Sequence, residues 1–477
     1  MLFTSLPFVV VFLPCALAGY FILGRMRLYE AAAAWLAVAS LVFYAYDDVS
    51  RLLPIILISV AANFIVGRSL AQRPQKILLA AGVLGNIMAL AHYKYANFII
   101  SLLFANAADA PIAQMPIGIS FFTFTQIAFL VDAYRNNDQE YRPTYYLLFV
   151  TFFPHLIAGP ILHHKDIIPQ LEDKRAYRFS ADGFIIGLTW FSAGLAKKVL
   201  LADMVAPFVS PAFAAASNGN APSFVSAWIA ALAYTMQIYF DFSGYSDMAV
   251  GLGLMFGIKL PANFASPYRA KSMIDFWRRW HMTLSRFLRD YLYFPLGGNR
   301  KGKGRRYVNL LITMIIGGLW HGAALTFVAW GAIHGLALAI NHLWRDLTGG
   351  RPYVPSLLGQ AMTMLVVVVA WVPFRADGFH ATLLIWKAMF HLPTTMVLAI
   401  DGYQKQGLAM IMLCTVTALA APNTQQILSY VNGSGRISSR LATSPRLYWA
   451  ALAGLCFGMA LTFSAVLEPA EFLYYRF

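Results

Sequence analysis

The sequence predicts an all-α, multi-pass membrane protein. Three observations predict it. Of 477 residues, 59% are hydrophobic and only 12% are charged, where soluble domains carry about 25% charged residues. The mean hydropathy is +0.60. Apolar runs recur along the chain, at lengths that approach the roughly 20 residues needed to cross a bilayer.

These runs are Leu6–Leu23, Ala31–Tyr46, Leu52–Val66, Phe224–Phe240, Val308–Leu319, Met362–Val372 and Tyr448–Val466. With shorter and interrupted segments they suggest roughly ten to thirteen membrane segments, some broken or re-entrant. The first run begins almost at Met1 without a basic leader, and Arg25 and Arg27 follow it. It reads as a retained helix rather than a cleaved signal. The positive-inside bias then places the N-terminus outside, Arg68, Arg73 and Lys76 inside, and Asp47 and Asp48 outside.

The chain reads as one integral-membrane domain over 1–477. Residues 1–110 are peripheral helices, 115–345 the catalytic core and 355–477 the C-terminal helices. No soluble domain and no long repeat is visible. The stretch 105–114 reads as a polar loop. Pro116–Gln126 opens a helix reaching Asp132 and Arg135, whose Ser, Thr and Gln suit interhelical hydrogen bonds. The Pro- and Gly-interrupted run Phe152–Pro160 is a candidate cavity wall, since broken helices survive in a membrane only inside protein or against water. His163 and His164 follow it. Adjacent helical positions face apart and no metal-ligand spacing is present, so they read as an interfacial polar cluster. Lys197 and Lys198 read as lysines that snorkel to the membrane face. In Tyr234–Met248, Asp241 and Asp247 are carboxylates at apparent membrane depth, costly without a partner. Tyr245 lies between them. The glycines of Gly251–Gly257 lack the strand and spacing of a nucleotide loop.

The three cysteines, Cys15, Cys414 and Cys456, are scattered, so disulfide, zinc and iron–sulfur scaffolds lose their basis. The net charge is +15, and residues Lys259–Arg306 hold twelve Lys and Arg against two Asp. A patch set among apolar spans does not suit nucleic acid. It suits anionic lipid at a cytoplasmic face, or an anionic donor such as coenzyme A or an acidic carrier protein. The two are compatible.

Two histidines bracket this region. Met273–Tyr291 reads as one amphipathic helix, with Trp277, His281, Leu284 and Leu288 on one face and Arg278, Arg279, Arg286 and Arg289 covering much of the rest. Arg300, Lys301, Lys303, Arg305 and Arg306 form a basic loop, and an apolar helix then delivers Gly317-Gly-Leu-Trp-His-Gly322. The glycines suit close helix approach or passage of a substrate. An imidazole at bilayer depth is costly unless paired or used. His334 and His342 read as core residues; His321, between Trp and Gly, reads as functional.

The chain resembles the membrane-bound O-acyltransferase family, specifically the bacterial branch acting in alginate and other exopolysaccharide O-acetylation. The resemblance is carried by Pro116–Gln126, Phe152–Pro160, Gly194–Asp203, Tyr234–Gly257, Asn263–His321, Trp371–Arg375 and Phe472–Phe477. The block from Trp280-His-Met-Thr-Leu-Ser285 to Gly318-Leu-Trp-His-Gly322 is the most specific. The resemblance implies a ring of helices, some broken or re-entrant, around a central tunnel. It makes His321 the catalytic base and His281 the upstream polar partner. It departs at His155, where this branch suggests Gln, and at the His163–His164 pair.

No bound cofactor is implied. The donor is an acyl thioester, acetyl-CoA or an acyl-carrier protein, and it transfers most simply an acetyl group to a hydroxyl. The acceptor is an exopolysaccharide such as alginate, reached directly or through a periplasmic acetyltransferase partner, at a bacterial inner membrane. Candidates for donor binding and the tunnel are Trp280, Trp320, Arg278, Arg279, Arg300, Lys301, Lys303, Arg305, Arg306, Asp241, Asp247, Tyr245 and Ser285. Ring N–H groups of His281, Trp280 or Trp320 could serve the oxyanion, and an acyl-enzyme on Ser285 is the weaker route. Broken helices and intramembrane carboxylates also suit a polysaccharide or lipid-linked sugar transporter. A membrane scaffold for acetylation enzymes is the third reading.

Overall fold

The computed structural model describes residues 1–103, 115–135, 141–350, 354–391, 400–431, 445–466 and 472–473. The expected polar loop at 105–114 lies outside these residues, as do 136–140, 432–444 and the last four residues of the C-terminal motif. Among the described residues there is no β-strand. Among the described residues six helices are long and apolar enough to cross a membrane: Phe8–Arg25, Val49–Gln72, Lys76–Tyr95, Ala181–Ser217, Leu325–Leu347 and Ser356–Arg375. Tyr29–Ala45, Phe379–Phe390 and Gly454–Ser464 are apolar but shorter. The apolar runs at 224–240 and 308–319 fall within Phe224–Met255 and Gly302–His321, which carry polar groups at intervals.

The chain forms two compact units. The first comprises Met1–Ala196, Tyr245–Ala262 and Ser438–Arg476. Its helices are joined by the hydrogen bonds that their polar residues suggest. The carboxamides of Asn63 and Asn86 pair reciprocally at 2.6 and 3.2 Å. Gln126 Nε2 donates to Ser59 Oγ at 2.9 Å, and Lys94 Nζ to Ser120 Oγ at 3.1 Å.

Three expectations bear on this unit. The broken run 152–160 is buried throughout. Its freed backbone groups find side chains instead: Ser40 Oγ accepts from the Phe153 N–H at 3.1 Å, and His155 Nε2 donates to the Phe149 carbonyl at 2.8 Å. His163 and His164 are buried, not interfacial. His164 Nδ1 lies 3.5 Å from Asp132 Oδ2, with its ring edge-on to Phe129 and Tyr141. Gly251 is helical, and a Cβ there would stand 2.5 Å from the Gly187 carbonyl oxygen. The glycines of 251–257 therefore serve close helix packing.

The second unit comprises Lys197–Gly244 and Asn263–Ile437. Its centre is an antiparallel pair, Gly302–His321 and Leu325–Leu347, joined by three residues. Glycine brings the two backbones together. A Cβ on Gly318 would meet the Phe327 carbonyl oxygen at 2.2 Å, and one on Gly331 the Met314 carbonyl oxygen at 2.4 Å.

Lys198 does not snorkel. It is buried, and its Nζ lies 2.8 Å from Asp203 Oδ1 and 2.7 Å from Asp241 Oδ1. A π-helical turn, Lys197–Ala202, sits at this point of the chain. Opposite charges meeting at membrane depth answer the cost that Asp241 raised.

Candidate active site

The expected helix Met273–Tyr291 is broken at the histidine. The chain forms Met273–Trp277 and Met282–Leu288, and His281 between them is left-handed, with φ +42°. Such a conformation costs a non-glycine residue about 1–2 kcal/mol, so the surroundings must hold it. Asn263 does so. Its backbone carbonyl accepts from the Met282 N–H at 2.9 Å. Its Oδ1 accepts from the Thr283 N–H at 3.3 Å and the Thr283 hydroxyl at 2.9 Å, and lies 3.1 Å from His281 Nδ1.

These contacts fix a tautomer. An oxygen that accepts a backbone N–H is the carbonyl end of the carboxamide, so Nδ1 of His281 is the donor. Nε2 then carries a lone pair, and it is buried without a hydrogen-bond partner. His281 is wholly buried, and burial pushes its pKa down to about 3. It is a neutral acceptor. The oxyanion-donor role expected of its ring N–H does not suit this tautomer.

His321 is the last residue of its helix and is 3% exposed. Its ring is enclosed by Trp320 at 4.8 Å, Trp330 at 5.1 Å and Phe374 at 5.1 Å between centroids. The Trp320 ring also lies 6.3 Å from that of His281. One indole therefore touches both imidazoles. Beside His321, glycine again means close contact: a Cβ on Gly322 would stand 2.0 Å from the Phe327 ring. Trp280 is buried among Phe276, Phe264 and Trp371.

A cavity of about 650 Å³ adjoins this cluster. Arg278, Arg286, Arg289 and His342 line it together with Ser285 and Trp277. Trp277 also packs edge-on against Trp330 at 5.8 Å, which in turn touches His321.

The other basic residues separate. Arg279 is engaged by Asp275 at 2.8 Å. Lys303, Arg305 and Arg306 belong to the first turns of the Gly302–His321 helix rather than to a loop. Arg306 pairs with Asp346, and Lys303 lies 3.9 Å from the same carboxylate. Arg300, Lys301 and Arg305 are exposed. Asp241 is held in the Lys198 triad. Tyr245 and Asp247 belong to the first unit, where Tyr245 stacks between Phe3 and Phe472 at 4.8 and 4.5 Å.

Sequence reasoning gave no role to Asn263, Trp330 or Phe374. Only their place in the chain order of the resemblance pointed to Asn263 and Phe374. His334, read as a core residue, is wholly buried with neither ring nitrogen hydrogen-bonded. Among the described residues no three His, Cys, Asp or Glu side chains converge as a metal site.

Comparison with known proteins weighs the three readings of this geometry. Over its whole length the chain is 35% identical to the peptidoglycan O-acetyltransferase of Helicobacter pylori, covering 98% of that protein. It is 39% identical to a protein named probable alginate O-acetylase from Pseudomonas aeruginosa, over 86% of this chain and 78% of that one. With the teichoic acid D-alanyltransferase of Bacillus subtilis it shares 27% over 55% of this chain and 67% of the other. The family match covers residues 28–375 and so includes both histidines, the cavity and the glycine-packed helix pair. Acyl transfer, not transport or scaffolding, is the chemistry of that match: the chain belongs to the membrane-bound O-acyltransferase family.

Proposed function

We propose that this O-acyltransferase moves an acetyl group from a cytoplasmic thioester to a hydroxyl of an extracytoplasmic polysaccharide, with His321 as general base. The observation that carries this reading is the Trp320 ring lying against both imidazoles in a buried, aromatic-walled cluster. A buried base beside a second imidazole suits direct transfer from an already activated thioester, and Ser285, the alternative nucleophile, donates to the Trp280 carbonyl at 3.4 Å.

In the reaction, the acceptor O–H lies against the lone pairs of the imidazoles. His321 takes the proton as the oxygen attacks the thioester carbonyl carbon. The tetrahedral intermediate collapses with cleavage of the C–S bond, and the imidazolium returns its proton to the leaving thiolate. Base catalysis of this kind contributes about 10²–10⁴-fold. His281, a neutral acceptor at Nε2, orients the hydroxyl.

The donor, acetyl-CoA or an acyl-carrier protein, docks at the arginine-lined cavity. Arg278 and Arg286 suit its phosphates, Arg289 on the same wall is held by Asp290 at 2.7 Å, and Trp277 leads inward to Trp330 and His321. Of the basic candidates expected from the sequence, Arg278 lines this cavity, and Arg286 and Arg289 join it from outside that set. Acetyl is favoured over D-alanyl because the relatives named for acetyl transfer align over most of the chain. The acceptor is an exopolysaccharide such as alginate, reached directly or through a periplasmic transferase, from the bacterial inner membrane. Peptidoglycan is the second acceptor reading, favoured by end-to-end alignment with a relative named for it.

The test is acetyl transfer by purified protein in nanodiscs, with labelled acetyl thioester and with alginate oligomers or glycan strands as acceptors. His321→Ala should abolish transfer while leaving folding and donor binding intact. Near-normal transfer by that variant would refute the base assignment.

A further inference from the structure

His334 lies one helical turn beyond Trp330 on the Leu325–Leu347 helix. Its ring centroid is 4.7 Å from that of Trp330, 5.2 Å from Trp277 and 6.3 Å from Trp371. Phe276 stacks on it at 6.0 Å. All three tryptophans are at most 8% exposed, and His334 is wholly buried. Neither nitrogen of His334 has a hydrogen-bond partner, and neither does Nε1 of Trp277, Trp330 or Trp371.

Buried polar groups without partners number only a few per hundred residues, and each calls for an explanation. Here five fall on one imidazole and the three indoles packed around it. Their chemistry is uneven. An indole N–H only donates, and a neutral imidazole has one donor and one acceptor. The set therefore presents four donors and one acceptor. That combination rejects a cation. It carries no formal positive charge to hold an anion. It fits a neutral oxygen with two lone pairs. Rings this close are in contact, so no sugar fits among them and a group held there is a single small one.

The position gives the set its relevance. Trp277 is also a wall of the arginine-lined cavity, and Trp330 also touches His321. We propose that His334, Trp277, Trp330 and Trp371 form a small polar subsite beside the base that binds one neutral oxygen, supplied by a resident water or by a carbonyl of the acyl donor. His334 is a positioning residue there. Its link to transfer rests on His321 as the base; the binding of an oxygen does not.

The experiment uses full-length protein in nanodiscs, with donor kcat and KM measured for His334→Phe, His334→Gln and Trp371→Phe. His334→Phe keeps a ring and removes both polar atoms, and should lower kcat/KM about tenfold or more. His334→Gln restores a donor and an acceptor and should recover most of that loss. Trp371→Phe removes one donor and should give a smaller loss of the same kind. A raised donor KM at constant kcat assigns the oxygen to the donor carbonyl, whereas a lowered kcat at constant KM assigns it to a resident water. Wild-type kinetics in all three variants would overturn the subsite.

A high-resolution cryo-EM map of the unmutated protein, with and without a non-hydrolysable thioester analogue, gives a reading independent of whether the variants fold. Ordered density within hydrogen-bond distance of a His334 ring nitrogen supports the subsite. No ordered density within hydrogen-bond distance of any of these ring nitrogens in either map would overturn it. His321→Ala is assayed in parallel, so a failure of the base assignment registers separately.

Discussion

Replacing Asn263 by Ala probes how His281 is held. The side-chain oxygen of Asn263 receives three donors, two from Thr283 and one from His281 Nδ1, at 2.9–3.3 Å. Each such bond contributes a net of about 0.5–1.5 kcal/mol, so their loss is worth roughly 1.5–4.5 kcal/mol. The left-handed backbone of His281 stores about a further 1–2 kcal/mol, which nothing in the variant's side chain then offsets. The residue should relax toward an ordinary conformation, turning Nε2 away from the cluster. At 1.36 kcal/mol per tenfold, even the lower bound corresponds to about a tenfold loss of rate. The assay is turnover of labelled acetyl thioester in nanodiscs, with thermal unfolding followed by tryptophan fluorescence. Asn263→Asp separates positioning from packing. It keeps the acceptor oxygen, so His281 stays seated, but its charge favours imidazolium and should move the acid limb of the pH–rate profile upward. An Asn263→Ala protein with unchanged kcat and unchanged melting would refute the reasoning.

Further outcomes follow from the packing and the charges. Gly318→Ala drives a Cβ to 2.2 Å from a backbone carbonyl; it should destabilise by about 1–3 kcal/mol or more and lower activity through Trp330. Gly304→Ala, with nothing within 4 Å, should melt no lower than the parent. Lys198→Met removes the cation that Asp203 and Asp241 share, and should cost about 3–5 kcal/mol, seen as loss of monodisperse protein after mild heating. Burial holds His281 at about 3, so His281→Asn should lower the rate without moving an activity pKa near neutrality. Because the unfolded chain would protonate that imidazole and the folded one does not, the parent gains stability as pH rises toward about 6.5 and loses it below.

The membrane class and the helical content were legible in the sequence, carried by composition and apolar run length. The sequence also singled out His321, an imidazole between Trp and Gly, and the structure shows it buried in an aromatic cluster. The break at His281 was not legible. Trp277, His281, Leu284 and Leu288 keep helical spacing straight through it, and its cause, Asn263, lies eighteen residues upstream in an irregular segment. Nor could spacing tell which cations meet a carboxylate: Asp275 stands beside Arg279 and Asp346 beside Arg306. Lys198 followed the statistics of snorkelling, but two carboxylates lie within hydrogen-bond distance of its ammonium. The walls around His321, Trp330 and Phe374, come from other helices, which periodicity cannot bring together.

Under the proposed mechanism the two histidines are not interchangeable, and the difference follows from their anchors. His281 donates through Nδ1 to Asn263, which fixes its lone pair at Nε2 and makes it an acceptor before any substrate arrives. Its burial makes protonation costly at working pH, so it can receive a hydrogen bond but is poorly suited to hold a proton through a catalytic cycle. A base must do the second. His321 ends a helix, where the carbonyl end of the helix dipole stabilises an imidazolium, and three aromatic faces and edges surround it. The division of labour then has a testable asymmetry. Asn at 281 keeps an acceptor and should retain part of the rate. Asn at 321 keeps the hydrogen bond but loses the proton carrier, and should fall to the level of the alanine variant. Equal residual rates for His281→Asn and His321→Asn would show that both imidazoles serve as acceptors only, and that the proton leaves by another group.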